Sequence, residues 1–343
     1  MERQLQNTPV TPPAIEPRAA HAAQSQVALL LPVPDNLVEF TRVYATDEAC
    51  RQALVHARWP NGFVCPKCGH PRGYDLEKYP VIECVRCGHQ ASATAGTLLH
   101  GTKLPLSKLF LLLYLIVAEK DGANAKQLER QAGVNYKTAR LWKLKVSDLL
   151  HCREKDKLAG RVEIDETIVG GGDEYSIGRR LSAKQRYVMV MVEDRGKECG
   201  RLRLEAADDV LGETLTTVVG SNVKEGATAH TDGLHGYAGI EDYKIAHKPQ
   251  VVGDPAQASK KLPWVHRVAS LLKRVILGTL QGSISMGWLP WLLAEFEFRF
   301  NRRKANKRPL LFARLMEFGL KRAAQTRSYF LKKGEMFRQM GLS

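Results

Sequence analysis

The chain has 343 residues and a formal net charge of +15, because 51 Lys and Arg residues oppose 36 Asp and Glu residues. This length suits two or three domains. The basic surplus favours a polyanionic partner, nucleic acid before membrane, although solubility alone also accounts for surface charge. The longest apolar run, Leu109–Ala118, is too short to cross a bilayer, so no membrane-spanning segment is predicted.

Residues 1–36 form the first predicted region, a disordered lead. The stretch is rich in Pro, Ala and Gln and has no apolar segment of the kind that a secretory signal requires. Of the seven Cys residues, four form two Cys-x2-Cys pairs and three are scattered. That usage indicates metal binding in a reducing compartment, so we expect a cytoplasmic protein.

Residues 37–100 predict a short helix followed by a zinc ribbon. The helix spans about Phe40 to His56, with Thr46 as its N-cap, and Tyr79–Glu83 alternates as a strand. The Cys-x2-Cys-x15-Cys-x2-Cys spacing lets four thiolates complete a closed, tetrahedral zinc site. The expected ligands are Cys65, Cys68, Cys84 and Cys87. A redox-active dithiol is the alternative, but two matched pairs argue against it.

Residues 101–155 have helix–turn–helix spacing. An apolar helix, Leu104–Glu119, precedes two further helices that are separated by a turn at Gly133. The second of these suits a major groove, and its polar side chains are predicted to face outward and contact DNA. They are Tyr136, Lys137, Arg140 and Lys143. The pattern is moderately specific, because any helical hairpin that turns at a glycine resembles it.

The residue period changes at Gly160, and residues 156–303 predict an α/β domain. Arg161–Val169 alternates and is rich in β-branched residues, as expected of a strand. Two more strands, a helix near residues 208–219 and a strand that ends at Asp232 follow. This β-β-β-α-β order, continued by helices, suits a mixed sheet with helices on both faces.

Two carboxylates in this domain, Asp165 and Asp232, lie near strand ends beside glycines. An acid inside an alternating strand is explained if it points into a cleft that binds Mg²⁺. The alternatives are a sheet-edge acid for Asp165 and a simple turn residue for Asp232.

A later helix, His266–Gly278, carries the remaining candidate catalytic residues. His266 and Lys273 share one face two turns apart, and Arg267 and Arg274 lie on an adjacent face. Two oxygen ligands, a third ligand and a Lys that contacts phosphate are together the components of two-metal phosphodiester chemistry. Alone, the helix is equally a basic amphipathic helix with a surface His.

Four segments together resemble a family of bacterial insertion-sequence transposases, and the likeness runs in order from about Phe40 to Phe318. The segments are Val162–Gly171, His230–Tyr237, His266–Gly282 and Glu295–Arg303. Members of that family carry an N-terminal zinc ribbon, a helix–turn–helix and a DDE-type catalytic domain. The resemblance therefore implies an α/β fold: an RNase H-like mixed sheet flanked by helices, preceded by the ribbon and the helix–turn–helix.

The resemblance implies that Asp165 and Asp232 are the first two metal-binding acids. The third acid of such enzymes lies seven residues before a Lys, and here that position holds His266 before Lys273. Neutral imidazole is a poor ligand for Mg²⁺ and a better one for Mn²⁺, so this departure bears on which of the two is the catalytic metal. Glu166 is a supplementary acid that strand alternation is expected to turn away from Asp165.

An aromatic helix at residues 288–300 ends in a basic segment that we expect to meet the DNA backbone, unless the helix only packs on the core. The candidate DNA contacts there are Arg299, Arg302 and Arg303, joined by Arg267 and Arg274 of the preceding helix. Residues 304–343 are expected to form a basic C-terminal tail. From residue 301 onward the chain contains twelve Lys or Arg residues and two Glu residues.

The resemblance further implies a transposase that binds terminal inverted repeats, cleaves 3′ ends and joins them to target DNA, with Lys273 offsetting phosphate charge. Its partners would be element ends, target DNA and further copies of the chain in a homo-oligomer, at the nucleoid and not at a membrane. Two alternatives stay open. One is a DNA-binding regulator without catalysis, and the other is an RNase H-like nuclease or resolvase that cuts without joining.

Overall fold

The computed structural model describes residues 31–76, 79–152, 155–171, 181, 185–250, 261–282 and 284–340. The predicted disordered lead lies outside the described residues as far as residue 30, whereas Leu31 is already buried in the N-terminal core. None of the described helices combines the length and the apolar character needed to span a membrane.

The N-terminal region begins with two helices, α1 (Leu37–Val43) and α2 (Asp47–Arg58), where one was expected. They are separate because Thr46 starts a new helix. Its hydroxyl accepts a 3.1 Å hydrogen bond from the Ala49 amide, which satisfies one of the free donors of the first turn. The predicted N-cap is therefore confirmed, although the helix that it caps is shorter than predicted.

A small antiparallel sheet follows, in which β2 pairs with both β1 and β3. Its strands are β1 (Gly73–Asp75), β2 (Val81–Cys84) and β3 (Gln90–Ser92). Each Cys-x2-Cys turn ends on a glycine with positive φ, Gly69 or Gly88, whose amide donates to the carbonyl of the first Cys of its pair. These turns close the chain tightly enough for each pair to present both sulfurs together.

Three helices form the next layer. They are α3 (Leu106–Ala118), α4 (Ala125–Ala132) and α5 (Tyr136–His151). The apolar sequence of α3 makes it the buried centre of the N-terminal core. The turn between α4 and α5 has Gly133 in the left-handed conformation at φ 61°, and the Asn135 side chain then caps α5.

The larger sheet has five strands in the order β6-β5-β4-β7-β8. They are β4 (Arg161–Val169), β5 (Arg186–Asp194), β6 (Cys199–Ala207), β7 (Thr228–Thr231) and β8 (Ala246–Pro249). β4, β5 and β6 are antiparallel neighbours, whereas β7 runs parallel to β4 and β8 runs parallel to β7. The sheet is therefore mixed, as predicted.

Helices cover both faces of this sheet. They are α6 (Gly212–Asn222), α7 (Pro263–Thr279) and α8 (Leu289–Phe300). On one face, Leu215 of α6 shares a core with Ile164 of β4, and on the other face Val265 of α7 packs in a separate core with α8. Because side chains alternate along a strand, Glu163 and Asp165 face α7.

The C-terminal segment expected as a basic tail is folded into two helices, α9 (Pro309–Gly319) and α10 (Arg327–Gln339). Phe312 of α9 lies with its ring centroid 5.0 Å from that of Phe40 and 5.1 Å from that of Phe110. Phe330 of α10 lies 5.5 Å from Trp291 of α8. Buried aromatic side chains thus place α9 in the N-terminal core and hold α10 against α8.

Candidate functional site

The carboxylates of Asp165, Glu166 and Asp232 converge at the carboxyl end of β7, next to the middle of β4. The first two lie in β4, and Asp232 directly follows β7, the parallel neighbour of β4. One oxygen of each carboxylate lies within 4.8 Å of the other two. The chain leaves β4 toward β5 on one side and reaches β7 on the other, so this end is a switch point of the kind where open α/β sheets bind ligands.

Glu166 belongs to this cluster, although strand alternation was expected to turn its side chain away from Asp165. The described ladder between β4 and β7 ends at the pairing of Glu163 with His230, before Glu166. The Tyr237 hydroxyl donates a 2.9 Å hydrogen bond to Glu166 Oε2, and Tyr237 lies in the core that Ile164 shares with α6. Glu166 therefore contacts the α6 side of β4, and one of its carboxylate oxygens still lies within 4.8 Å of the Asp165 and Asp232 carboxylates.

Burial and like charge dominate the electrostatics of the cluster. Burial, and then the carboxylates of Glu166 and Asp232, raise the pKa of Asp165 to about 7. The Glu166 amide donates a 2.9 Å hydrogen bond to Asp165 Oδ1 and offsets only part of this rise. Crowded carboxylates in a partly buried site require either a proton or a cation, and oxygen ligands suit Mg²⁺ or Mn²⁺. The residues present therefore fit a divalent metal.

The first turns of α7 bring His266 to the same place. Its Nε2 lies 3.8 Å from Asp165 Oδ2, and its side chain is 36% exposed. Burial lowers the pKa of His266, although the Asp232 carboxylate opposes the shift, and this favours the neutral imidazole, the form whose lone pair can bind a metal. Among the described residues, His266 stands beside the tight carboxylate group and not within it.

The cations predicted on α7 are all at the surface. Lys273 is exposed, and the rise of an α-helix places it about 10 Å from His266 along the axis. Arg267 and Arg274 are exposed as well, and the Arg267 guanidinium carbon lies 5.9 Å from the Trp264 ring centroid. Lys273 thus faces solvent, about two helical turns from His266.

The four predicted ribbon ligands form a second cluster able to bind metal, with all four sulfurs within 4.8 Å of one another. Cys65 and Cys87 have their sulfurs 3.7 Å apart, and Cys68 and Cys84 have theirs 3.6 Å apart. Sulfurs around a tetrahedral zinc ion with bonds of about 2.3 Å lie about 3.8 Å from each other. The cysteines therefore fit a structural zinc ion.

Three of the four residues expected to contact DNA from α5 are exposed, and these are Tyr136, Lys137 and Arg140. Lys143 is different. Its ammonium donates hydrogen bonds of 3.0 Å to Glu295 Oε1 and of 2.8 Å to the Ala123 carbonyl. The prediction that Lys143 points outward is wrong, because the buried carboxylate of Glu295 on α8 requires a nearby cation.

The arginines at the end of α8 are also engaged within the protein. Arg299 is buried and pairs with Glu295 one helical turn away. Arg302 and Arg303 are half-buried and donate to backbone carbonyls, Arg302 within α8 and Arg303 to Gly200 in β6. The prediction that Arg299 contacts the DNA backbone is therefore wrong, because its guanidinium forms a buried ion pair with Glu295.

One residue of the site region was not predicted. Glu163 is fully buried, and its carboxylate contacts the beginning of α7. The strand pattern contained one indication of this position. Glu163 is two residues from Asp165 and so lies on the same face of β4, whose other buried positions are apolar. Without knowledge of α7, nothing distinguished this acid from an exposed one.

Comparison with known proteins agrees with this architecture. Residues 157–301 match the family described as the ISXO2-like transposase domain, and residues 45–90 match the transposase zinc-ribbon domain. The first match contains the carboxylate cluster, His266 and Lys273, and the second contains all four ribbon cysteines. Over these two regions the chain has the domains of the zinc-ribbon plus DDE-type transposases of insertion sequences.

No curated protein matches the chain. Among solved structures, the catalytic core domain of BIV integrase is similar in part, with 14% sequence identity and a TM-score of 0.27. The match covers 41% of this chain and 84% of that chain. With the family matches, the mixed sheet, its flanking helices and the preceding ribbon confirm the predicted α/β fold class, whereas the helix–turn–helix of α4 and α5 and its binding to DNA stay predictions.

Proposed function

We propose that the chain is an active transposase, which cleaves the 3′ ends of its element and joins them to target DNA with the help of a divalent metal. The observation that carries the proposal is the convergence of Asp165, Glu166 and Asp232 at the switch point of the sheet, with His266 alongside. The match of residues 157–301 to the ISXO2-like transposase domain supports the same function.

Asp165 and Asp232 would hold the metal, with Glu166 and His266 as further ligands. Bound Mg²⁺ or Mn²⁺ supplies Lewis-acid activation of water and of the phosphodiester. The chain itself preorganises the carboxylates, because the Tyr237 hydroxyl orients Glu166 and the Glu166 amide fixes one oxygen of Asp165. Lys273 on the exposed side of α7 would offset phosphate charge on the DNA.

The zinc ribbon and the α4–α5 pair would bind the terminal inverted repeats. The exposed residues Tyr136, Lys137 and Arg140 at the start of α5 are the proposed contacts with the major groove. Arg267 and Arg274 on α7 would meet the DNA backbone near the site. Since two element ends are processed together, we expect a homo-oligomer assembled on DNA.

The test is an assay of cleavage and joining on DNA that carries element ends, with Mg²⁺ or Mn²⁺ supplied. Asp165→Asn and Asp232→Asn are each expected to lower both reactions on the order of 1,000-fold, because each removes a charged ligand of the reacting centre. Asp242→Asn, which changes an exposed acid of the same domain, is the matched control and retains activity.

Each contrary result has a distinct meaning. Unchanged activity in both site variants would refute the site. Specific DNA binding by the unaltered chain without any nicking would favour a DNA-binding regulator. Cutting without joining would favour a nuclease.

A further inference from the structure

The first turn of α7 lacks a cap of its own. Leu262 at the N-cap position has no side-chain acceptor, and Pro263 at the next position has no amide hydrogen. The His266 amide makes a long, 3.5 Å hydrogen bond to the Leu262 carbonyl. The amides of Trp264 and Val265 are therefore the donors that the helix leaves without an acceptor of its own.

Glu163 of β4 supplies that acceptor from outside the helix. Its Oε2 accepts hydrogen bonds of 2.8 Å from the Trp264 amide and 3.1 Å from the Val265 amide. The side chain is fully buried, and its other oxygen, Oε1, has no hydrogen-bond partner among the described residues. A buried carboxylate with one unsatisfied oxygen is unfavourable, and the contact with the positive end of the helix dipole offsets part of this cost.

This contact fixes where α7 lies along β4. Glu163 and Asp165 are two residues apart on the same face of the strand, about 7 Å from each other. Val265, which donates to Glu163, is followed directly by His266, whose Nε2 lies 3.8 Å from Asp165 Oδ2. Holding the first turn of α7 against Glu163 therefore holds the imidazole level with the Asp165 carboxylate.

A second contact anchors the same turn to the neighbouring strand. The indole Nε1 of Trp264 donates a 3.0 Å hydrogen bond to Asp194 Oδ1 in β5. Asp194 in turn pairs with Arg161 at 2.8 Å. The start of α7 is thus fixed by its backbone to β4 and by a side chain to β5.

We propose that Glu163 is a positioning residue of the metal site, which caps α7 from the adjacent strand and keeps His266 within reach of the cation held by Asp165 and Asp232. The part about the cation rests on the proposed function. The capping of α7 does not, since it concerns the protein alone.

Three variants of the full chain test the cap. Glu163→Met keeps the side-chain volume and removes both acceptor oxygens, whereas Glu163→Gln retains one acceptor. Glu193→Met is the matched control, because Glu193 is also buried in this sheet but pairs with Arg195 and Arg201 and not with α7.

Hydrogen exchange measured by mass spectrometry reports on α7 without metal, DNA or activity. Glu163→Met is expected to speed exchange of residues 264–268 on the order of tenfold, as loss of a helix cap does, with a smaller change in Glu163→Gln. Glu193→Met leaves these residues at the unaltered rate. Equal exchange in the Met and Gln variants of Glu163 would overturn the cap.

Mn²⁺ binding to the zinc-loaded protein, followed by calorimetry, tests the consequence for the site. Glu163→Met is expected to weaken Mn²⁺ binding about tenfold in the otherwise unaltered protein. In a protein that already carries His266→Ala, Glu163→Met should cause no additional loss, because Glu163 acts on the metal through His266. No loss, or an equal loss in both backgrounds, would overturn the positioning role. Undiminished Mn²⁺ binding by Asp165→Asn would instead refute the proposed function, and hydrogen exchange would still decide the cap.

Discussion

Asp165 carries a carboxylate whose charge the metal-free fold disfavours. Burial and the carboxylates of Glu166 and Asp232 raise its pKa to about 7, whereas an Asp in an unfolded chain has a pKa of about 3.9. Between these values the folded state binds a proton that the unfolded state has released. With respect to this group, the free energy of unfolding is therefore highest below about pH 4, and this stability is lost as the pH rises through about 7.

At the residue scale, Asp165→Asn is expected to stabilise the metal-free protein while it removes activity. Its stabilising effect at pH 8 should exceed that at pH 5.5 by on the order of 2 kcal/mol, because Asn spares the fold the cost of ionising Asp165. Denaturant unfolding at the two pH values, without added Mg²⁺ or Mn²⁺, measures this difference. Asp242→Asn at an exposed site serves as control, and an equal effect of Asp165→Asn at both pH values would contradict the raised pKa.

At the scale of elements, α5 has two faces with different tasks. Toward α8, Lys143 and Ser147 each donate a 3.0 Å hydrogen bond to the buried Glu295. Burial acts to raise the pKa of Glu295, but the charges of Lys143 and Arg299 lower it to about 2, so this carboxylate is ionised inside the protein. On its other face, α5 presents Lys137, whose side chain is exposed to solvent.

Two lysine variants separate these faces. Lys143→Ala is expected to lower the free energy of unfolding by about 3 kcal/mol, since it removes one cation from a buried carboxylate. Lys137→Ala should change stability by less than about 0.5 kcal/mol, yet weaken binding to the terminal inverted repeats and reduce the salt dependence of binding by about one ion. Chemical denaturation and fluorescence anisotropy at several salt concentrations measure the two effects, and the reverse pattern would contradict this division of α5.

At the scale of the whole molecule, the ribbon and the catalytic domain are stabilised differently. Among the described residues from Cys65 to Ser92, the buried apolar side chains apart from cysteine are those of Ile82 and Ala91. The catalytic domain instead has an apolar core on each face of its five-stranded sheet. A segment with so little core of its own needs a metal to hold it together.

Removal of zinc by a chelator is accordingly expected to unfold the ribbon alone. Residues 65–92 should lose their protection from hydrogen exchange, while peptides of β5 keep theirs, because the stability of the large sheet does not depend on the ribbon zinc. Hydrogen exchange before and after chelation, and again after zinc is restored, measures this. Loss of protection throughout the chain would show that the ribbon and the catalytic domain fold as one unit.

Features that depend on neighbouring residues could be predicted from the sequence. β4 has the predicted bounds Arg161–Val169, Thr46 caps a helix, and the spacing of the cysteines correctly indicated a cluster of four sulfurs. Strand alternation, capping and Cys-x2-Cys turns act over a few residues, so the order of amino acids is sufficient to specify them. Asp165 was a candidate because it interrupts an alternating strand, and Asp232 because it ends a strand beside a glycine.

The roles of the other polar side chains depend on partners that are remote in the chain. Lys143 faces Glu295 across 152 residues, Glu163 caps α7 across 101 residues, and Glu166 meets Tyr237 across 71 residues. Whether a charged side chain faces solvent or a buried partner is settled when helices and strands pack, because burial makes an unpaired charge costly wherever it lies in the sequence. Packing also placed the imidazole of His266 beside Asp165, a proximity for which the spacing of the two residues in the chain gives no physical reason.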